Sequence, residues 1–374
     1  MQEEQKKECP GSAKKMDAAA LDANLKVSQA GNMQRITFRD VRTKPFQIYG
    51  LYQPQETEQF HRMPPEIAQT VSEGVSKLNW CTTGGRVRFA TNSRRIVLRS
   101  FMPSINRFER MALTGNAGFD LYETVGSQTT YLRTFMPPVD MASGYQAEVE
   151  LPEAKMRSFM IHFPIHNPVE RVGIGIESGA ELTEGVPYHY QTPVVFYGSS
   201  ITHGLCASRP GNTYPAVISR RYNCDFVNLG FSGNAKGEPA IAEYLATMDM
   251  SVFVCDYDYN APTPEHLENT LGPLIQTVRR AQPALPIVLV SRPSFNPENG
   301  EDIRRREIVQ NVYHEAVRAG DKRIRFVDGE SLFAGEHRDS CTVDACHPND
   351  LGMIRMANVI GAAVGELLNK FCGA

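Results

Sequence analysis

The sequence changes character at Gln191-Thr192-Pro193, and that change limits the folds open to the chain. After it, short apolar runs at 194–197, 225–229, 251–256, 286–290 and 324–327 alternate with helical stretches. The helical stretches fall at 214–222, at 239–248, around Leu267, Leu271, Leu274, Ile275 and Val278, at 302–319, and around Ile354, Ala357, Ile360, Val364 and Leu367. Short apolar runs bounded by turn residues read as buried strands, and apolar side chains recurring every three to four residues read as one helix face. A parallel crossover takes a helix, so this alternation predicts a five-stranded parallel sheet covered on both sides over 190–374.

Before Pro193 the period is two. Val87 and Phe89 alternate with Arg86 and Arg88; Ala147, Val149 and Leu151 with Gln146, Glu148 and Glu150; Val172, Ile174 and Ile176 with Gly173 and Gly175. Turn clusters such as Thr91-Asn92-Ser93 and Thr114-Gly115-Asn116 separate the runs. Many short half-buried strands predict an all-β sandwich, jelly-roll-like, over 31–189. Residues 1–30 read as a polar tail.

With 39 basic and 42 acidic residues in 374, the chain carries no nucleic-acid footprint. No run approaches the length needed to span a bilayer. The amino terminus lacks the apolar core of a signal peptide, so the expectation is a cytoplasmic protein, or an exported one whose leader has been removed. The eight cysteines include no C-x-x-C pair, which argues against a zinc site, and a reduced chain fits them at least as well as disulfides. Homo-oligomerisation is left open.

The chemistry concentrates in two segments. Gly198-Ser199-Ser200-Ile201-Thr202 follows the first parallel strand and places a serine hydroxyl at the carboxyl edge of the sheet, where open α/β folds put ligands. A serine needs an activating base. Asp344-Ala345-Cys346-His347 supplies histidine as base with a carboxylate three residues away to orient it. Donors for a developing oxyanion are the N–H of Ser200, the N–H of Gly233 after the second strand, and the side-chain amide of Asn260 after the third.

These four blocks, with Ser200, Gly233, Asn260 and His347 in order and Asp344 as the acid, resemble the SGNH (GDSL-type) hydrolases. The resemblance covers about 193 to the carboxyl terminus. It implies a flavodoxin-like three-layer αβα domain, an acyl-enzyme mechanism and no cofactor. Two departures are visible: Ser199 stands where the family often has aspartate, and Asp258 and Ala261 replace residues of the third block, which leaves Asn234 as a competitor to Asn260. The absence of G-x-S-x-G argues against the α/β-hydrolase fold. The sandwich-then-hydrolase order looks like members that act on acylated sugars.

Other residues carry weaker readings. His203 is a remote alternative base, Cys346 a packing residue, Arg292 a structural ion-pair partner, and Arg94-Arg95 a solvated turn. Asp256 and Asp258 share the spacing of paired carboxylates, and the single Trp80 is too little for a sugar platform. The sequence thus predicts a serine esterase acting on a short acyl ester, acetyl on carbohydrate first. Acyl transfer from the same site and a glycan-binding protein with an inert hydrolase half are the alternatives.

Overall fold

The computed structural model describes residues 35–293 and 296–373, so the expected tail at 1–30 lies outside the described residues. The first half has ten strands: β1 (Ile36–Asp40), β2 (Gln47–Tyr49), β3 (Arg86–Thr91), β4 (Arg95–Phe101), β5 (Phe119–Val125), β6 (Gln128–Phe135), β7 (Gln146–Glu150), β8 (Arg157–His162), β9 (Arg171–Glu177) and β10 (Leu182–Thr183). They form two antiparallel sheets, β1-β9-β4-β7 and β10-β3-β8-β5-β6, with β2 also pairing β3. The alternating apolar residues meet between the sheets: Val87, Phe89, Leu98, Phe119, Phe159 and Ile174 are all buried there. Each such side chain contributes roughly 1.5–3 kcal/mol on burial.

Two features of this half differ from the sequence reading. The polar face of β3 is not solvated. Arg86 and Arg88 are as buried as Val87 and Phe89, Arg86 against the second half and Arg88 against Val186 and Tyr188 of the segment that leads into it. The Arg86 guanidinium pairs with Asp225, donates to the Phe226 carbonyl at 3.0 Å, and stacks 4.0 Å from the Phe226 ring. Residues 65–78 are not strand but two short helices, α1 (Pro65–Val71) and α2 (Glu73–Leu78). Their Ala68 and Val75, with Met63, enter the core of the second half beside Leu229 and Phe231. A third short helix, α3 (Leu113–Ala117), precedes β5.

The second half has the parallel strands β11 (Tyr190–Gly198), β12 (Cys224–Gly230), β13 (Val252–Asp256), β14 (Ile287–Val290) and β15 (Ile324–Val327), in spatial order β12-β11-β13-β14-β15. This is the flavodoxin-like order. Its helices are α4 (Ser200–His203), α5 (Tyr214–Tyr222), α6 (Pro239–Thr247), α7 (Pro264–Ala281), α8 (Gly300–Arg318), α9 (Gly329–Leu332) and α10 (Asp350–Phe371). Successive strand residues face opposite layers. Val195, Tyr197, Phe253 and Leu289 pack with α6, α7 and α8, while Val194, Phe196, Val254 and Val288 pack with α5 and α10.

The apolar face of α10 holds Ala357, Ile360, Val364 and Leu367 of the expected stripe together with Met353 and Met356, while Ile354 points outward with 45% exposure. By length and composition alone α10 would pass as a membrane span, with a mean hydropathy of 1.4, which corrects the expectation that no run comes close. Its buried face identifies it as a core helix of the αβα sandwich. The strand order reverses around β11, so the carboxyl ends of β11, β12 and β13 open together into a crevice.

Candidate active site

The chain leaves β11 through Gly198. A Cβ there would lie 2.1 Å from the Thr202 hydroxyl and 2.4 Å from the Asp256 carbonyl, so glycine is required by close approach rather than by a left-handed turn. Ser199 then caps α4, its hydroxyl accepting the Ile201 N–H at 3.1 Å. This gives a structural use to the residue that departs from the family aspartate. Ser200 is the first residue of α4. The neighbouring loops are tied to this turn: Ser199 N–H donates to the Asp256 carbonyl at 3.1 Å, and Phe231 N–H to the Gly198 carbonyl at 2.9 Å.

His347 arrives from a tight loop before α10. Val343 N–H donates to the His347 carbonyl at 2.9 Å, and Ala345 takes a positive φ of 64° to close the turn. Ser200 Oγ lies 2.9 Å from His347 Nε2, and His347 Nδ1 lies 2.8 Å from Asp344 Oδ2. The carboxylate therefore holds the Nδ1–H tautomer and leaves Nε2 free to accept the serine proton. Asp344 Oδ1 also accepts the His347 backbone N–H at 2.8 Å and that of Cys346 at 3.2 Å. Partial burial works to raise the Asp344 pKa, but the backbone N–H and ring of His347 outweigh it and hold the carboxyl below its ordinary value.

Gly233 sits in the turn after β12 with φ +70° and open space where a Cβ would be. The N–H groups of Ser200 and Gly233 have no hydrogen-bond partner among the described residues. Asn260 ends the short turn after β13, and its amide donates to the Phe231 carbonyl at 2.9 Å. Asn234 turns the other way: its amide donates to the Ser232 carbonyl at 2.7 Å and its side chain abuts Gly74 of α2.

The remaining sequence candidates fall outside this arrangement. His203 is fully buried, its Nε2 against the Ile165 carbonyl at 3.0 Å. Asp256 accepts from Thr202 and Tyr214, whereas Asp258 accepts the Arg292 N–H and pairs with Arg305, so the two do not act as a couple. Arg292 pairs with Asp302, and Arg95 lies on β4 paired with Glu148 rather than in a solvated turn. Cys81, His166 and His203 are near enough to suggest a metal trio, with ligand atoms within 4.8 Å. The two rings, however, stack 4.5 Å apart and 6° from parallel. Nitrogen lone pairs lie in the ring planes, and two parallel planes share no point for one ion.

Two contributions from the first half had no signal in the sequence. Arg110 Nε lies 3.2 Å from Asp344 Oδ2, the oxygen that holds the His347 ring. Asp120, in Gly118-Phe119-Asp120-Leu121-Tyr122, is fully buried and accepts the Gly211 N–H at 2.9 Å and Arg209 Nη1 at 3.1 Å. It clasps the loop that follows α4. Both contacts cross about ninety or more residues of chain, which no local pattern records. A cleft of about 550 Å³ lined by Leu78, Phe108, Arg110, Met111, Leu205 and Ser232 adjoins the site, sharing Arg110 with Asp344.

A sequence profile described as the GDSL-like Lipase/Acylhydrolase family matches residues 191–364, and one described as the N-terminus of Esterase_SGNH_hydro-type matches 36–182. No protein among those with curated functions matches the sequence. A structure described as a putative GDSL-like lipase from Bacteroides ovatus is similar at 27% identity, covering 90% of this chain and 99% of that one, with a TM-score of 0.80. The salicylyl-acyltransferase SsfX3 from a tetracycline biosynthetic pathway shares the fold at 18% identity and a TM-score of 0.72, over 89% of this chain and 97% of that one. A family two carbohydrate esterase from Clostridium thermocellum shares it at 17% identity and 0.57, over 79% and 95%. With both halves matched in order and the parallel sheet of the family in place, the chain belongs to the SGNH (GDSL-type) family of carboxylic ester hydrolases.

Proposed function

We propose that the protein is a serine esterase that removes short acyl groups, acetyl first among them, from a carbohydrate or similar small alcohol. The observation that carries this reading is the continuous hydrogen-bonded chain from Ser200 Oγ through His347 to Asp344. Ser200 attacks the ester carbonyl as His347 Nε2 takes its proton, and Asp344 stabilises the resulting imidazolium. The carbonyl oxygen becomes an oxyanion, with the N–H groups of Ser200 and Gly233 and the second amide hydrogen of Asn260 as its donors. His347 returns the proton to the leaving alcohol. Water, activated by the same ring, then releases the acid and restores Ser200. The adjoining cleft of about 550 Å³ suits one small substrate.

The test is an acyl series (acetyl, butyryl, octanoyl) on aryl and sugar esters, with Ser200→Ala as control. The expected result is preference for acetyl and a loss of about 10⁴-fold or more in S200A, the scale seen when a nucleophile is removed from such a triad. Substantial activity in folded S200A refutes the assignment. Product analysis with a sugar acceptor present separates hydrolysis from acyl transfer, and absence of Ser200 labelling by a fluorophosphonate identifies an inert site, as the glycan-binding alternative requires.

A further inference from the structure

Beneath the loop that carries Gly233 lies a buried cation without a counter-ion. Arg62 precedes α1 and is 1% exposed. Its Nη1 donates to the carbonyls of Asn228 and Gly230 at 3.0 and 2.6 Å, its Nη2 to that of Leu78 at 2.7 Å, and its guanidinium lies 4.5 Å from the Phe231 ring centre. Its Nε is buried with no partner, and no carboxylate pairs with it among the described residues. A buried charge with no counter-ion opposes folding, and here it is offset by the three carbonyls that accept from it, which an apolar side chain would leave unsatisfied. The position therefore supplies charge and directed donors rather than packing.

A second observation meets the same loop at Ser232. His203 Nε2 faces the Ile165 carbonyl, so that nitrogen carries the hydrogen and Nδ1 accepts. Ser232 Oγ, 3.2 Å from that Nδ1, donates to it and accepts in turn from His166 Nε2 at 3.5 Å. Cys81 lies behind this pair, its S–H donating to the His166 carbonyl at 3.5 Å with Sγ 3.9 Å from His166 Nδ1. Every donor in this chain points the same way. Burial holds both rings neutral, with His166 pushed down to about 4 and His203 held well below its ordinary value, the neighbouring His166 and the Arg62 charge adding to the effect on His203. The loop of Gly230-Phe231-Ser232-Gly233 is thus held by Arg62 at Gly230, by Asn260 at Phe231 and by the stacked histidines at Ser232.

We propose that Arg62, with the buried chain His166–Ser232–His203, forms the floor of the oxyanion hole, Arg62 acting as a positioning residue that aims the Gly233 N–H and adds a fixed positive field beneath the tetrahedral intermediate. This rests on the esterase reading above. Preorganised charge of this kind acts on the transition state and leaves the ground state nearly untouched.

The test compares wild type with Arg62→Met, Arg62→Lys and Ser232→Ala on an acetyl ester, with kcat and KM separated and affinity for a phenylboronic acid measured alongside, since boronates mimic the tetrahedral state. The expected result for R62M is a kcat about tenfold lower at nearly unchanged KM, one order below the loss from removing a direct oxyanion donor, with a parallel loss of boronate affinity. R62K, which keeps the charge, recovers part of it. Wild-type kcat and boronate affinity in folded R62M overturn the proposal. Where R62M does not fold, R62K and S232A decide it: reduced kcat at constant KM in both supports it, and wild-type kcat in both overturns it. A wild-type enzyme that neither hydrolyses esters nor labels at Ser200 overturns the esterase reading and this inference together, whereas an active enzyme indifferent to these changes overturns this inference alone.

Discussion

Replacing Asp256 with asparagine isolates the effect of one buried carboxyl on stability. Asp256 ends β13 and is 3% exposed, with Oδ2 accepting from the Thr202 hydroxyl at 3.1 Å and the Tyr214 hydroxyl at 3.0 Å. Burial raises its pKa from the model-peptide value of 3.8 to about 7. In the unfolded chain the group ionises near 3.8, while the folded protein keeps the proton to about 7. The native state binds the extra proton between those values, so stability falls as pH rises through the window and levels off above it. At 1.36 kcal/mol per unit, the whole window is worth about 4 kcal/mol, of which about 2–3 lies between pH 5 and 8. Asparagine cannot ionise. It keeps an oxygen for the two hydroxyls but leaves a buried amide N–H₂ short of partners, which costs about 1–3 kcal/mol at every pH. That offset cancels in the pH dependence. Urea unfolding of wild type and D256N at pH 5, 6, 7 and 8 should therefore show the variant level with or below wild type at pH 5 and gaining about 2–3 kcal/mol on it by pH 8. Two parallel stability curves would refute the reasoning, because they would mean Asp256 is ionised throughout in the folded protein.

Two contacts between the halves give further predictions. Arg110→Ala removes an exposed ion pair, so unfolding free energy should change by no more than about 1 kcal/mol, while kcat/KM for an acetyl ester falls roughly fivefold as Asp344 loses a restraint. Unchanged kinetics would assign Arg110 no part in holding the acid. Asp120→Ala leaves Arg209 without its buried carboxylate and the Gly211 N–H without its acceptor. A loss of about 3–5 kcal/mol in urea unfolding is expected, and a loss under about 1 kcal/mol would show the clasp to be dispensable.

What could be read from the chain itself was what local pattern records. Residues 214–222 and 324–327 match α5 and β15 because their signals lie within one element, where continuous apolar runs and helical spacing decide the outcome. Ser200, Asp344 and His347 stood out because serine after a strand and D-x-x-H before a helix are chemically unusual at short range. Arg86 and Arg88 read as a solvated face because hydropathy cannot register that Asp225 and Phe226, some 140 residues on, cover Arg86 and that Val186 and Tyr188 cover Arg88. The same holds for α1 and α2: Pro65-Glu66-Ile67-Ala68 carries little apolar weight alone, and its buried side becomes apparent only against Leu229 and Phe231. Ile354 was placed on the wrong side of α10 because Met353 and Met356 continue the buried stripe equally well. The oxyanion side of the site remained ambiguous for a related reason, since Asn234 and Asn260 both end loops and only the fold turns Asn234 toward Gly74.

The docking of α1 and α2 into the second half also sets an order of events during synthesis. The β-rich half leaves the ribosome first, and its strands can pair at once. Met63, Ala68 and Val75 then have no partners until residues 224–245 follow, and Arg62 and Arg86 remain hydrated until β12 covers them. The nascent sandwich therefore presents a cationic, partly apolar face for the time taken to translate the stretch from β10 at 183 to β12 at 224. Nascent chains with such surfaces call on chaperones. A fragment ending before β12 keeps that face for good, so its solubility should depend on salt and on polyanions in a way that the finished protein's does not.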